Sequence, residues 1–172
     1  MLTTDQKGAI AEAAVVLAAM KLGVEVYRPA AEGLRHDMLF LFGERVARIQ
    51  CKWASRYDDI VIVRCYSARR CSAGLMRRRY TDDEVDAFAA YCAELDKCYF
   101  LPMERFGGKT TIHLRLSAAR NNQVLGVNWA SEFEFGATLR QHSGAIAQLG
   151  ERLAGSQKAA GSSPAGSTSE AV

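Results

Sequence analysis

No stretch of this 172-residue sequence is apolar enough to cross a bilayer: the longest candidate, Ala9 to Met20, is interrupted by Glu12 and falls short of the roughly 20 residues a helical span requires. The opening Met1-Leu2-Thr3-Thr4-Asp5 lacks the basic region that begins a secretory signal. Evenly paired cysteines are lacking too. The five cysteines, with no export signal beside them, are expected to be free thiols in a reducing bacterial cytoplasm. Cys65 with Cys71, and Cys92 with Cys98, repeat a gap of five residues, wider than the roughly two to four residues within a structural zinc pair. They therefore read as small buried hydrophobes. Charge of one sign is scarce overall, with 22 Lys and Arg against 19 Asp and Glu, too small an excess to imply a nucleic-acid partner by itself.

What is present is the composition of one globular domain, 49% hydrophobic and 24% charged, which excludes collagen, coiled coil and a wholly disordered chain. The charge is uneven. Between Arg45 and Tyr80, ten basic residues stand against two acids, a local excess suited to a polyanion.

Thr3, Thr4 and Asp5 are cap candidates for a helix from Asp5 to Leu22, closed by Gly23. Its residues from Gly8 to Leu17 are apolar nearly all round, which implies packing on several sides. Short strands follow at Gly23–Tyr27, stopped by Pro29, and at Asp37–Phe42, from which a Gly43-Glu44 turn leads into Arg45–Trp53. So tight a connection makes the last two antiparallel. Alternation along Arg45–Trp53 places Arg45, Ala47, Ile49 and Cys51 on one face, and Val46, Arg48, Gln50 and Lys52 on the other. Asp59–Arg64, evenly apolar, reads as a central strand. Thr81-Asp82-Asp83-Glu84 has capping-box spacing and predicts a second helix to Leu95, with Val85, Phe88, Ala89 and Cys92 as its buried stripe. Strands at Cys98–Leu101 and Thr110–Leu116, then a short helical piece begun by Asn128-Trp129-Ala130 and carrying Phe133, complete an α/β domain around a mixed sheet.

Glu12 is the one charge in the apolar stretch Gly8–Leu17, and a buried carboxylate needs a cation or hydrogen bonds; its partner is a metal or a structural arginine. Asp37 opens one strand of the hairpin, and Gln50 and Lys52 share a face of the next. Asp37, Gln50 and Lys52 can thus meet at one end of the hairpin. With Glu12 beneath, an acid and an amide oxygen form hard oxygen ligands suited to Mg²⁺. Lys52 beside them would orient or deprotonate an attacking water and offset charge on a pentavalent phosphorane. Taken singly, the same residues also fit a strand-start cap, a polar sheet-face amide and a solvated lysine.

Asp37, then Gln50-Cys51-Lys52 after a hairpin, following a helix with Lys7-Gly8 and Glu12, resembles the PD-(D/E)XK nuclease superfamily. The Q-x-K form is similar to the branch of group I intron-encoded homing endonucleases, with Holliday-junction resolvases as more distant relatives. The resemblance covers roughly Thr4 to Trp129. It implies a restriction-endonuclease-like mixed sheet flanked by helices, with the order helix, three strands, helix, strand. It further implies Asp37 as the metal-binding acid, Gln50 in the usual second acidic position, Lys52 as catalytic lysine and Glu12 as auxiliary acid. Asp37, Glu12, Gln50 and the backbone carbonyl of Cys51 would hold Mg²⁺, or Mn²⁺. His36 precedes Asp37 where the family has proline. The substrate implied is double-stranded DNA, cut by a homing or mobile-element nuclease on the bacterial nucleoid; a junction resolvase and a decayed DNA-binding relative are the other readings.

Arg64, Arg69, Arg70, Arg77, Arg78 and Arg79 are expected to neutralise phosphates and position the duplex, a few of them reaching guanine edges. Cutting both strands needs two sites, hence a homodimer or homotetramer, with Ile112–Trp129 as the expected assembly surface.

Residues 1–141 form the expected nuclease domain. Residues 142–172 hold no aromatic residue and are rich in Gly, Ser and Ala, the composition of a disordered tail. Ala160–Ala165 permits the codons GCG GGT TCG AGT CCC GCT, which contain a complete T-arm, and Ala147–Arg152 permits a D-arm. An anticodon arm reading GGC fits Arg152–Lys158, and Gly144-Ala145 pairs with Ala165–Ser167 as an acceptor stem. Four arms in register are hard to reach by codon freedom alone, so the tail reads as translation through an alanine transfer RNA gene, a common neighbour of mobile DNA. The genomic nucleotides are expected to spell that cloverleaf; codons that break its stems would end the reading.

Overall fold

The N-terminal helix begins where the sequence offers caps. Thr3 accepts from the Gln6 backbone N–H at 3.2 Å while Gln6 Oε1 accepts from the Thr3 N–H at 2.9 Å, a reciprocal capping box. The helix, α1, spans Thr4–Lys21. It ends at Gly23, whose φ of 74° suits a residue without Cβ, and the Val24 and Gly23 N–H groups close on Ala19 O and Met20 O in a Schellman arrangement. The structure is a computed structural model and describes residues 1–31, 33–72, 74–118 and 126–139, apart from the side chains of Arg69 and Arg70. The expected tail, 142–172, lies outside the described residues.

After α1 come β1 (Glu25–Tyr27), β2 (Met38–Phe42), β3 (Arg45–Tyr57), β4 (Ile60–Arg64), β5 (Tyr66–Cys71), β6 (Gly74–Arg79), β7 (Ala87–Cys92), β8 (Lys97–Pro102), a single helical turn α2 (Met103–Phe106), β9 (Thr111–Arg115) and a 3₁₀ turn at Ala130–Phe133. Among the described residues these make a mixed seven-stranded sheet and a separate two-stranded ribbon, β5–β6.

The long strand β3 organises the sheet. Ile49 is opposite Met38 of β2 and also beside Ala87 of the parallel β7, while Ala54 is opposite Val63 of β4 and beside Cys92 of β7. A strand has two edges, so β2 and β4 must share one edge of β3 while β7 holds the other. Between β2 and β4 that shared edge has a gap, at residues 50–53.

The helix expected over Thr81–Leu95 is not there. Its start is real, since the Glu84 and Val85 N–H groups both reach Thr81 O at 3.1 Å, but the turn goes no further. Asp86 is pinned to β3 instead: its carboxylate takes the Arg48 backbone N–H at 2.7 Å and Nε at 3.0 Å. The chain then enters β7. The run Ala87-Phe88-Ala89-Ala90-Tyr91-Cys92 is apolar on both faces because both are covered. Ala87 and Ala89 join a cluster with Val15, Phe40 and Phe100, whereas Phe88, Ala90 and Cys92 join Val63, Tyr99 and Leu101 on the other side. A doubly buried strand has no period-two signal to separate it from a buried helix. Among the described residues the connection from β3 to β7 therefore runs through β4 and the ribbon, without a helix.

One other expectation is corrected: α1 packs on one side only, through Ala11, Val15 and Ala19, and leaves Ile10, Leu17 and Met20 exposed. Within the segment Ile112–Trp129, expected as an assembly surface, Ile112 and Leu114 are turned into the core, and residues 119–125 lie outside the described residues. β1, β2, β4, β8, β9 and the 3₁₀ turn with Phe133 fall where the sequence placed them, whereas β3 runs on past Trp53 to Tyr57 and the β5–β6 ribbon is not among the expected strands.

Small residues on β7 let α1 lie close to the sheet. Ala89→Leu is expected to lower unfolding free energy by about 1–3 kcal/mol through overpacking, read as a lower denaturant midpoint with unchanged slope.

Candidate active site

The gap along β3 leaves backbone groups without a strand partner, and a side chain meets them. Asp37 ends its own ladder pairing with an N–H to Ile49 O at 2.9 Å. Two residues further along β3, on the same edge, the Cys51 N–H donates to Asp37 Oδ2 at 2.7 Å. The N–H and C=O of a strand residue point to the same edge, so the Cys51 carbonyl shares this gap. The Gln50 amide bridges the two, its Nε2 donating to Asp37 Oδ2 and, at 3.3 Å, to Cys51 O. Gln50 is 8% exposed.

Two oxygens of different residues thus converge on one NH₂ group. That is the donor chemistry a hard divalent cation uses, with the amide turned so that its oxygen joins the set. Among the described residues no three His, Cys, Asp or Glu side chains cluster to hold a metal; here two carboxylates, an amide and a carbonyl would do so. The second carboxylate is Glu12, which lines a cleft of about 390 Å³ with Arg28, His36 and Asp37. The open question of its partner is answered in part, since Arg28 Nη2 lies 3.7 Å from Glu12 Oε2.

Burial raises the Asp37 carboxyl above the ordinary range despite the Cys51 N–H and the nearby Lys52. Burial, then the charge of Asp37, raises Glu12, against Arg28. Both acids are held short of the positive charge that full ionisation calls for.

Lys52 lies on the same face of β3 as Gln50. Its Nζ donates to Tyr80 Oη at 2.9 Å and to Tyr66 O at 3.5 Å. Burial lowers its ammonium below the usual lysine range, and burial pushes the Tyr80 phenol up to about 12. The Tyr80 ring is fixed edge-on to Phe88, with centroids 5.5 Å apart. The Arg35 guanidinium sits 4.0 Å from the ring centroid, donating to Ser67 Oγ and Arg79 O at 2.9 Å each.

Tyr80, Arg35 and Arg28 were not read from the sequence. Arg35 lies two residues before Asp37, and Tyr80 closes the basic run, but only the folded ribbon brings them to Lys52. The six expected DNA-contacting arginines separate. Arg64, Arg77 and Arg79 line one pocket, whereas Arg78 is tied to Glu84. The side chains of Arg69 and Arg70 lie outside the described residues. No disulfide joins the cysteines among the described residues; burial pushes Cys65 and Cys98 to about 12 and Cys92 to about 11.

The PD-(D/E)XK endonuclease family profile matches residues 2–136. Among solved structures, the chain is similar to that of the bacterial homing endonuclease I-Ssp6803I, with a TM-score of 0.68 and 24% identity over 84% of this chain and 97% of that one. No curated protein matches.

Raised carboxyl values mean that the metal-free fold binds protons more readily than the unfolded chain, so these two acids lower its stability as pH rises through and above the ordinary carboxylate range. In chelator, Asp37→Asn is expected to melt higher than the parent at neutral pH, by a margin that shrinks towards about pH 4. Millimolar Mg²⁺ is expected to raise the melting temperature of the parent alone.

Proposed function

Because the chain belongs to the PD-(D/E)XK endonuclease family, we propose that it hydrolyses phosphodiester bonds in double-stranded DNA at the gap in β3. The observation that carries this site is the convergence of Asp37 Oδ2 and Cys51 O on the Gln50 amide, with Lys52 following on the same face. Asp37, Glu12, the Gln50 amide oxygen and the Cys51 carbonyl would hold Mg²⁺, or Mn²⁺. When bound, the ion supplies Lewis-acid charge to the phosphodiester.

The chain's own groups do the rest. Lys52, directed by Tyr80, holds or accepts a proton at Nζ beside the attacking water and offsets charge as it grows on the phosphate. Arg35, on the Tyr80 ring, adds a second cation to the same side. Arg64, Arg77 and Arg79 bind the DNA backbone and set its register. Likeness to a homing endonuclease supports the same role here, that of a mobile-element enzyme. Two strands need two sites, supplied by a homodimer or homotetramer. For its contact, α1 offers the exposed apolar side chains Ile10, Leu17 and Met20. The working unit is residues 1–141, with 142–172 read through a transfer RNA gene.

The test is incubation with Mg²⁺ and a DNA library that includes the genomic neighbourhood, with ends mapped by sequencing. Discrete cuts are expected from the parent, and a loss of about 10²- to 10⁴-fold in Lys52→Ala, with Asp37→Ala inactive. Binding without cutting under every divalent ion tried would replace this with a decayed DNA-binding relative. Preferential cutting of four-way junctions would replace it with a resolvase.

A further inference from the structure

The β5–β6 ribbon sorts three consecutive arginines by the alternation of a strand. Tyr66 is directly opposite Arg79 and Ser67 opposite Arg78. Tyr66, Arg77 and Arg79 therefore share one face, and Ser67 and Arg78 the other. On the second face Glu84 binds Arg78 and lies 3.1 Å from Arg35 Nε. On the first no acid is found among the described residues. Arg77 and Arg79 line a pocket of about 470 Å³ together with Tyr66, Arg64, Thr110 and Thr111. Arg64 arrives from the end of β4, where it is the register partner of Thr111 on β9. The Arg77 guanidinium is aligned on the Tyr66 ring at 5.0 Å. Among the described residues none of the three arginines has an acidic partner.

We propose that this pocket is the seat of a single backbone phosphate of duplex DNA, shared by Arg64, Arg77 and Arg79 with the threonine hydroxyls. The inference rests on the reading as a DNA endonuclease. Three guanidiniums brought together repel one another, and one tetrahedral oxyanion offers each a charge-assisted bond. The location says which phosphate it is. Tyr66 lines this pocket with its ring while its carbonyl accepts from Lys52 Nζ, so the seat flanks the lysine and holds a neighbour of the phosphate that is cut. Arg78 takes no part.

The test is duplex binding by fluorescence anisotropy, in Ca²⁺, across a salt series. Each of Arg64→Ala, Arg77→Ala and Arg79→Ala is expected to weaken binding roughly tenfold. The triple variant is expected to be little weaker than the worst double, because the three share one anion. Its slope of log affinity against log salt should fall by about 1, as for one lost phosphate contact. An unchanged slope would overturn the proposal. So would a fall of nearly 3, which means three separate phosphates. Calorimetry that finds inorganic phosphate bound, with duplex affinity untouched by the triple change, would assign the pocket to a free anion and overturn it as well. Arg105→Ala, paired with Glu132 at 3.2 Å, is the control and should leave the slope alone. Since these arginines are exposed, melting temperatures should match the parent. A parent that binds with the expected slope but never cuts would overturn the nuclease reading and leave the phosphate seat standing; a parent that leaves duplex unbound at low salt overturns both.

Discussion

A buried N–H must find an acceptor, and at Cys51 no strand supplies one. The edge of β3 that faces β2 and then β4 is uncovered over residues 50–53, and Asp37 Oδ2 fills the place of the missing ladder bond at 2.7 Å. That single contact fixes the carboxylate at the fork of two strands, beside the Cys51 carbonyl and under the Gln50 amide. The site is thus a defect in a sheet, kept open by the divergence of β2 and β4 and closed behind by β7.

The electrostatics follow from the same defect. Burial raises both Asp37 and Glu12, and the charge of Asp37 raises Glu12 further, while the nearby cations offset this only in part. Arg28 is 3.7 Å from Glu12, and Lys52 is drawn towards Tyr80 and the Tyr66 carbonyl. A site arranged this way is short of positive charge, and its oxygens already point inward. With Gln50 where a third carboxylate would stand, any ion bound there is met by less negative charge, and more of its affinity must come from geometry.

Much of this was legible because it is local. The hairpin turn at Gly43-Glu44 and the alternation of Arg45–Trp53 are enough to place Gln50 and Lys52 on one face near Asp37, and Gly23 marks the end of α1. What was not legible depends on contacts distant in sequence. Ala87–Cys92 reads as helix because only the assembled domain shows that both its faces are covered. Tyr80 and Arg35 meet Lys52 only when the ribbon folds back over β3. The arginine run reads as one cationic patch until pairing reveals that alternate members face an acid and an acid-free pocket.

The parallel pairing of β3 with β7 has a consequence for how the enzyme is made. Every side chain of the expected metal site precedes residue 53, so all are synthesised before the strand that covers the far edge of β3. Closing that edge requires a loop spanning the whole ribbon, and such long-range parallel contacts form slowly. A ribosome-bound chain that ends before Cys92 carries the chemistry on an unsupported hairpin with an open, sticky edge. Competence to cut DNA therefore arrives late, after most of the domain has been translated, and the interval before it is when the chain is most exposed to aggregation and to proteases.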